Sequence, residues 1–469
     1  MTQGTIDLLA RLGGPPPPGA RTDLVIERNP CAADLRTYRL LRRLAFVDEQ
    51  GLFDGNDLDE RDHDAATIVL VARSAGAVVG GVRLSPERSS PELAWWRGSR
   101  LVCHPALRAE RTTVGRALVG AACALAEAKG ALRFDATVQP ARERFFRALG
   151  WERTGETAVA GVPHVTMRRP IDRIATLVEA TKAPLAGLVG SLRPEAGWVG
   201  DDGVPIPGSD VVAATDAITP AMVERDPEWA GWCGLLVCAN DLAAMGAAGI
   251  GALDALSAPS AAHAHRVLSG VRKGSQAFGL PILGGHTQIG APASLAVTAL
   301  GRTATPVPGG GGRPGDEILL TADLEGGWRP GYTGAQWDST SGRTREEIAA
   351  MLGTVAAAGP AAAKDVSMAG IGGTLGMLAE ASGCGAVLRV ADVPRPPAAR
   401  LADWLTCFPG FAMLTAQRPG SPAPAAGPAR SAVCGHLTAG SGVTLVWPDG
   451  ERTRVLDGPV TGLGRAGTP

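Results

Sequence analysis

The stretch CANDLAAMGAAG (Cys238–Gly249) decides how the longer, second part of this 469-residue chain folds. It places Asn240 and Asp241 at the start of a predicted small-residue helix. Further short polar segments precede and follow it along the chain. They are WVGDDGVPIPG (198–208), AATDAI (213–218), ILGGHTQIG (282–290), PGDEILLT (314–321) and AKDVSMAGIGG (363–373).

All of these segments except ILGGHTQIG carry carboxylates, in a chain that lacks a phosphate-binding P-loop. The pattern GxxxxGK[ST] does not occur, and GLGRAG (462–467) matches GxGxxG without a helix to follow it. Mg²⁺ favours carboxylate oxygens, and two or three ions together neutralise a triphosphate. An isolated acidic residue is more often a turn former or a helix cap, so a structural role stays open for each one taken alone.

The order GDD, TD, ND-LAAMGA, GGHT, PGD and D-x-S resembles the aminoimidazole-ribonucleotide (AIR) synthase superfamily over residues 171–410. The resemblance implies an α+β domain in two parts, a dimeric N-terminal barrel and a C-terminal α/β layer, that binds Mg–ATP. It implies metal ligands at Asp201, Asp202, Asp241 and Asp365, and nucleotide contacts at Asp216, Gly285, His286, Thr287 and Lys364. The sequence also departs from characterised members, because no Cys-x-Lys precedes GDD and His286 stands where thiamine-monophosphate kinase has Asp.

Residues 23–170 alternate strand and helix periods, which predicts an α/β layer around one sheet. Within them, VCHPALRAERTTVGRAL (102–118) predicts a strand, a loop and the start of a long helix. Free N–H groups and the positive end of the helix dipole make this junction a candidate diphosphate site. A purely structural helix start is the alternative. The candidate contacts are Val102, Arg108, Arg111, Thr113, Val114, Gly115 and Arg116.

The junction, VQPARERFFRALGW (138–151) and RRLAFVDEQGLFDGNDLDERDHDA (42–65) together resemble the GNAT N-acetyltransferase family over about residues 24–169. The resemblance implies an α/β GNAT domain that binds acetyl-CoA at the junction and at Phe146. Phe146 stands where the family often has a tyrosine that protonates the leaving thiolate. Only the last glycine of the family's coenzyme loop is kept, as Gly115. Glu49 and His104 are candidate general bases, by position only.

Composition and linkers complete the predicted organisation. Lys and Arg (45) balance Asp and Glu (46), which argues against a nucleic-acid surface. No apolar run reaches the ~18 residues of a membrane span, and eight cysteines without a CxxC pair indicate free thiols in a reducing cytosol. The predicted domains are a lead-in at 1–22, the GNAT unit at 23–170, two AIR-synthase-like parts at 171–302 and 316–469, and a Gly/Pro spacer at 303–315.

The sequence therefore predicts a cytoplasmic bifunctional enzyme, an acetyl-CoA-dependent N-acyltransferase fused to a Mg–ATP-dependent activating or phosphoryl-transfer domain. Small molecules are the expected substrates, with neither nucleic acid nor membrane as a partner. The AIR synthase resemblance implies a homodimer. The order of the domains resembles a fusion family associated with nitrogen limitation or nitrile assimilation. The alternative is a regulatory or scaffold protein that binds acetyl-CoA and ATP without turnover.

Overall fold

The structure is a computed structural model that describes residues 24–107, 113–183, 185–192, 198 and 200–466. The predicted lead-in at 1–22 lies outside these residues. The described chain divides into two compact units, of which unit 1 comprises the chain up to Ile171 together with Arg400–Ala402 and unit 2 comprises the rest. No helix within the described ranges is long and apolar enough to cross a bilayer.

Unit 1 is built on one seven-stranded sheet. Its strands are β1 (Val25–Arg28), β2 (Ile68–Ser74), β3 (Ala77–Pro86), β4 (Trp95–Cys103), β5 (Arg133–Val138), β6 (Glu152–Val159) and β7 (Val162–Arg169). Their spatial order is β1-β2-β3-β4-β5-β7-β6, and only β4 and β5 are parallel neighbours. The helices are α1 (Ala32–Arg43), which continues as a π-helical turn at Leu44–Glu49, α2 (Thr113–Ala128) and α3 (Glu143–Arg147).

The two long helices cover opposite faces of this sheet. On one face Tyr38 of α1 packs in a buried cluster with Val71, and on the other Leu118 of α2 packs in a cluster with Leu70. Neighbouring residues of β2 thus face opposite sides, as the alternation of a strand requires. The α/β fold expected for this part of the chain is confirmed.

The alternation of strand and helix periods predicts a strand around 100–104, a helix at 141–149 and a last strand near 164–168, and the structure differs from this at three places. Strand β6 was not expected, because its residues are mostly polar and it lies at the edge of the sheet, where its side chains remain exposed. Strand β4 begins at Trp95 rather than near Arg100. The helix expected at 141–149 is a 3-10 turn at Pro140–Arg142 followed by the short α3.

Unit 2 contains two larger sheets. The first has β8 (Val204–Pro205), β9 (Val211–Ile218), β10 (Ala248–Ala258), β11 (Ile282–Ile289) and β12 (Ser294–Arg302), in the spatial order β11-β10-β12-β9-β8. The helices of this part are α4 (Arg173–Thr181), α5 (Leu185–Val189), α6 (Pro220–Arg225), α7 (Pro227–Ala244) and α8 (Ala261–Phe278).

The second sheet of unit 2 has seven strands. The strands of this part are β13 (Glu317–Ala322), β14 (Gly327–Trp328), β15 (Trp337–Asp338), β16 (Ala362–Asp365), β17 (Gly385–Arg389), β18 (Ala412–Gln417), β19 (Arg430–Thr438), β20 (Val443–Val446) and β21 (Arg452–Leu456). The order is β16-β18-β13-β19-β17-β20-β21, and β14 pairs separately with β15. The helices are α9 (Arg345–Leu352), α10 (Thr354–Ala358), α11 (Gly370–Ser382) and α12 (Leu401–Thr406). The two-part α+β fold is confirmed.

Helices α7 and α8 lie against each other with their backbones in close approach. A Cβ atom at Gly231 of α7 would collide with the carbonyl of Val267, and one at Gly270 of α8 would collide with the carbonyl of Glu228. Because of this packing, α7 is buried on nearly all sides. Asp241 lies in the last turn of α7 and not, as predicted, at the start of a helix.

The stretch 303–315 contains no helix or strand, as predicted, but it is not a solvated spacer. Val307, Gly309, Gly310 and Gly312 are buried, and Val307 N donates to the carbonyl of Met245. The middle of this stretch, around 307–312, passes through the interior of unit 2, where it reaches the carboxylates described next.

Candidate functional site

Three carboxylates from distant parts of unit 2 form a triad. Asp202 lies on the loop before β8, Asp241 in the last turn of α7 and Asp365 at the end of β16. One oxygen of each lies within 4.8 Å of the others. Three carboxylate oxygens are a donor set that suits Mg²⁺, whose ligand oxygens stand about 3.0 to 4.2 Å apart in an octahedron.

Lys364 is the cation that accompanies the triad. Its Nζ donates to Oδ1 of Asp202 (2.8 Å) and to the carbonyl of Gly200 (2.5 Å). The backbone N–H of Asp365 donates to the other oxygen of Asp202 at 2.9 Å. Burial alone would lower the pKa of Lys364, but the adjacent carboxylates, Asp202 foremost, raise it. Lys364 is therefore a buried ammonium that balances part of the triad's charge.

The surroundings of the other two carboxylates of the triad disfavour their charged forms. Burial raises the pKa of Asp241 and of Asp365 well above the usual range, and the negative charge of Asp202 raises both further. A divalent cation between the three carboxylates would stabilise their charged forms. This electrostatic arrangement favours cation binding.

Asp201 stands apart from the triad although it precedes Asp202 directly. Its Oδ1 accepts the backbone N–H of Gly309, and its Oδ2 is buried without a hydrogen-bond partner among the described residues. Burial raises the pKa of Asp201 to about 6. The structure thus brings together three of the four predicted metal ligands and holds the fourth against the stretch 303–315.

Gly309 is a site residue that the sequence analysis missed. A Cβ atom there would lie 2.6 Å from Oδ1 of Asp201 and 3.0 Å from Nζ of Lys364. The available signal is the run of four glycines at 309–312, whose composition is also that of a linker. Glycine is required because the backbone touches two charged side chains of the site.

The predicted nucleotide contacts divide into two groups. Asp216 lies on β9, and its negative charge contributes to the raised pKa of Asp241 and of Asp365, so it is close to the triad. Gly285, His286 and Thr287 are exposed on the edge strand β11. Strands β10 and β12 lie between β11 and β9. The distance from β11 to β9 is therefore three inter-strand spacings of about 4.8 Å each. Within this chain the structure does not bring these three residues to the triad.

The candidate coenzyme site of unit 1 is an opening between two strands. Strands β4 and β5 pair only over Trp95–Gly98 and Arg133–Ala136 and separate beyond that point. Just past it, Arg100 has a φ of +54°, and its carbonyl accepts a 2.8 Å hydrogen bond from the hydroxyl of Tyr38. This irregularity interrupts the pairing. Val102 follows it and is buried in the cluster that contains Tyr38.

The start of α2 follows β4, as the sequence predicted. Its first turn consists of Thr113, Val114, Gly115 and Arg116. The other two candidate contacts of this junction, Arg108 and Arg111, lie outside the described residues. A Cβ atom on Gly115 would lie 3.5 Å from the ring of Phe145 and 3.7 Å from Sγ of Cys103. Phe145 therefore faces this turn. Phe146 packs in the core instead, edge-on to Trp151 with ring centroids 5.4 Å apart.

The two candidate bases have different surroundings. Glu49 is exposed at the end of the π-helical turn. His104 is 4% exposed, and its Nδ1 is 3.3 Å from the backbone N–H of Ala106. Because an N–H donates this bond, Nδ1 is the acceptor and a neutral ring carries its proton on Nε2.

The acidic stretch of the first GNAT-like motif has a structural role that the sequence analysis did not assign. Arg42, which is fully buried, binds Asp57 and Asp62, and Arg83, which is 1% exposed, binds Asp59 and Asp62. The network fastens residues 57–62 to α1 and β3. The sequence signal for it is limited to the acidic residues themselves, because Arg42 lies 15 positions before Asp57 and Arg83 lies 21 positions after Asp62.

Family models match both units. An acetyltransferase (GNAT) domain matches residues 52–170. The N-terminal domain of AIR synthase related proteins matches residues 200–303, and their C-terminal domain matches residues 313–448. The three matches follow one another in the order that the motifs predicted.

Two relatives and one solved structure illustrate the similarity. The uncharacterized protein sll0787 of Synechocystis is 34% identical over 232 residues, which are 48% of this chain and 72% of the relative. The uncharacterized protein MJ0640 of Methanocaldococcus jannaschii is 31% identical over 40% of this chain and 60% of its own length. PurL of T. maritima in complex with ATP has a TM-score of 0.50 at 18% identity, over 64% of this chain and 53% of that one. At this identity the likeness concerns the fold alone.

Proposed function

Because this chain belongs to the AIR synthase related family and carries a GNAT acetyltransferase domain in unit 1, we propose that it is a bifunctional enzyme. Unit 2 binds Mg–ATP and activates an oxygen atom of a small molecule or transfers a phosphoryl group to it. Unit 1 transfers an acetyl group from acetyl-CoA to an amine. The carboxylate triad with Lys364 is the observation that carries the first of these activities.

The triad supplies what phosphoryl transfer needs. Asp202, Asp241 and Asp365 would hold Mg²⁺, which neutralises the charge of the phosphates when bound. Lys364 lies beside them and offers an ammonium to a phosphate oxygen. Catalysis of this kind depends on positioning and charge compensation, and buried groups supply both at low cost in reorganisation.

Calorimetric titration with Mg²⁺ and a non-hydrolysable ATP analogue tests the proposal. Asp202→Asn removes a triad charge and should weaken Mg²⁺-dependent nucleotide binding by at least about 10-fold, a loss of about 1.4 kcal/mol. Asp201→Asn is the matched control, because it neutralises the adjacent carboxylate outside the triad and should weaken binding less. Equal binding by wild-type protein and Asp202→Asn would refute the assignment.

Unit 1 is tested by titration with acetyl-CoA and by release of thiol. The opening between β4 and β5 and the first turn of α2 support the coenzyme assignment. Gly115→Phe would fill the space beside Phe145 and should abolish binding. Binding of acetyl-CoA and ATP without turnover of any amine would favour the alternative, a regulatory protein that senses both ligands. The identity of the acceptor and a role in nitrogen or nitrile metabolism belong to the proposal.

We also propose that the protein is a cytoplasmic homodimer that pairs through the first sheet of unit 2. The edge strand β11 exposes Ile282 (39%), Leu283 (53%) and Ile289 (50%). An exposed apolar edge strand is a template for pairing with a second chain. Sedimentation analysis of Ile289→Lys should show monomers if this strand forms the interface, and dimers of unchanged affinity would contradict it.

A further inference from the structure

We propose that His164 is the general base of acyl transfer in unit 1, a role that rests on the acetyltransferase function proposed above. His164 lies on β7 and is 5% exposed. Nothing near it in the sequence resembles a catalytic motif. Its orientation and its place in the sheet carry the inference.

The orientation of the ring leaves one nitrogen able to accept a proton. Nδ1 of His164 lies 2.9 Å from the carbonyl oxygen of Val162. A carbonyl oxygen only accepts hydrogen bonds, so Nδ1 carries the proton of the neutral ring and Nε2 keeps its lone pair. In the part of the chain that the structure describes, no group forms a hydrogen bond with Nε2. This is the reverse of His104, whose Nδ1 is the acceptor.

The register of the sheet places His164 one strand away from the opening between β4 and β5, because β7 pairs with β5 on the side that faces away from β4. Val165 of β7 pairs with Val138, the last residue of β5. His164 precedes Val165 in the antiparallel strand β7, so it lies level with the position just beyond the end of β5. Beyond the same end, Gln139 donates a 2.7 Å hydrogen bond to Gln50, the residue after Glu49. The end of β5 thus meets the turn that follows α1.

His164 lies on the face of the sheet from which an acceptor could approach the coenzyme. Val165 and Met167 pack in the cluster shared with α2, so His164 lies on the opposite face by the alternation of a strand. A diphosphate at the first turn of α2 would place the coenzyme on the α2 side. An acceptor that approaches the thioester from the other side of the opening then meets His164.

The step balances without a further reactant. The nitrogen of a neutral amine attacks the carbonyl carbon of the thioester, a C–N bond forms and the C–S bond breaks. Nε2 of His164 takes the proton from the attacking nitrogen, and this proton then passes to the departing thiolate. With water as the acceptor, the same transfer gives acetate and free coenzyme A.

The test uses the full chain, acetyl-CoA and two acceptors that need no knowledge of the natural substrate. Water is a weak nucleophile that depends on a base, whereas hydroxylamine is a strong one that depends on it little. His164→Asn keeps an N–H donor for the Val162 carbonyl but has no basic nitrogen. It should lower thiol release with water by about 100-fold or more and leave formation of acetohydroxamate within about 10-fold of the wild-type rate, because only base assistance is removed.

The outcomes distinguish a catalytic role of His164 from a structural one. They also distinguish failure of this role from failure of the proposed function of unit 1. His63→Asn, on the 3-10 turn at Glu60–His63, is the matched control and should change neither rate. An equal loss with both acceptors, or no loss with water, would overturn the role of His164. Wild-type protein that binds acetyl-CoA without releasing thiol would also overturn it while leaving the coenzyme site in place. Failure of the wild type to bind acetyl-CoA would overturn the function of unit 1 itself.

Discussion

The ammonium of Lys364 lies 2.8 Å from Oδ1 of Asp202, a carboxylate that also belongs to the triad. The side chains of both are buried, with 3% and 11% exposed. One carboxylate therefore serves an internal cation and a candidate site for a divalent one. If the triad binds Mg²⁺ as proposed, the stability of unit 2 and its binding of the ion are coupled through this pair.

Lys364→Met should destabilise the protein strongly in the absence of Mg²⁺. Removing one partner of a buried ion pair costs about 3 to 5 kcal/mol, because the remaining charges lose their compensation. Mg²⁺ should restore much of this loss, since it neutralises the same carboxylates. Thermal unfolding with and without Mg²⁺ measures both effects, and an equal loss under the two conditions would contradict the coupling.

Gly309→Ala should impair the site without a change of charge. The new methyl group would meet Asp201 and Lys364 at 2.6 to 3.0 Å, so one of the two side chains must move. We expect weaker Mg²⁺-dependent nucleotide binding by calorimetry, together with destabilisation of about 1 to 3 kcal/mol from overpacking. Gly342→Ala, at a glycine with open space around it, is the control and should bind normally.

Arg83→Met should destabilise unit 1 by about 3 kcal/mol or more, because it leaves buried Asp62 with one arginine fewer. Arg83 donates to both oxygens of Asp59 and to Asp62 at 2.6 to 2.7 Å. The control is Arg153→Met, which removes an arginine that is 35% exposed and should cost below about 1 kcal/mol. Urea denaturation compares the two, and similar losses would argue against a stabilising network.

The same network should make unit 1 sensitive to acid. Burial alone would raise the pKa of Asp62, but hydrogen bonds from Arg42 hold it well below the usual range, and the pKa of Asp59 is lowered through Arg83. The stabilisation is therefore complete above about pH 4, the range of an unfolded aspartate, and is lost as the pH falls below it. Asp62→Asn should flatten the dependence of the urea midpoint on pH between about 3 and 5. An unchanged slope would count against the lowered pKa.

Sequence reasoning reached the fold because both families carry their motifs in a fixed order. Asp202, Asp241 and Asp365 were selected in this way, although they are spread over more than 160 positions of the chain. It could not separate Asp201 from Asp202. The two are adjacent and chemically identical, and only the backbone of a loop decides which carboxylate turns towards the triad.

Other site features depend on contacts that leave no local pattern. Gly309 belongs to a Gly/Pro-rich stretch whose composition is that of a linker, and only tertiary packing places it against Asp201. The position of His164 follows from the register between β5 and β7. His286 and Thr287 were grouped with the nucleotide by motif, but the order of the strands sets them at the edge of the sheet.

The stretch 303–315, in which Val307, Gly309, Gly310 and Gly312 are buried, joins the two parts of unit 2 and also forms a wall of the carboxylate site. A single stretch of backbone thus has to connect the two parts and to line the site. Lengthening or shortening it would therefore move Gly309. Insertions and deletions among homologues should be excluded here and accumulate in the irregular loop at 418–430. For the same reason, we expect that two halves of unit 2, expressed separately with the chain break within 303–315, would not form an intact carboxylate site. The break would interrupt the backbone that lines this site.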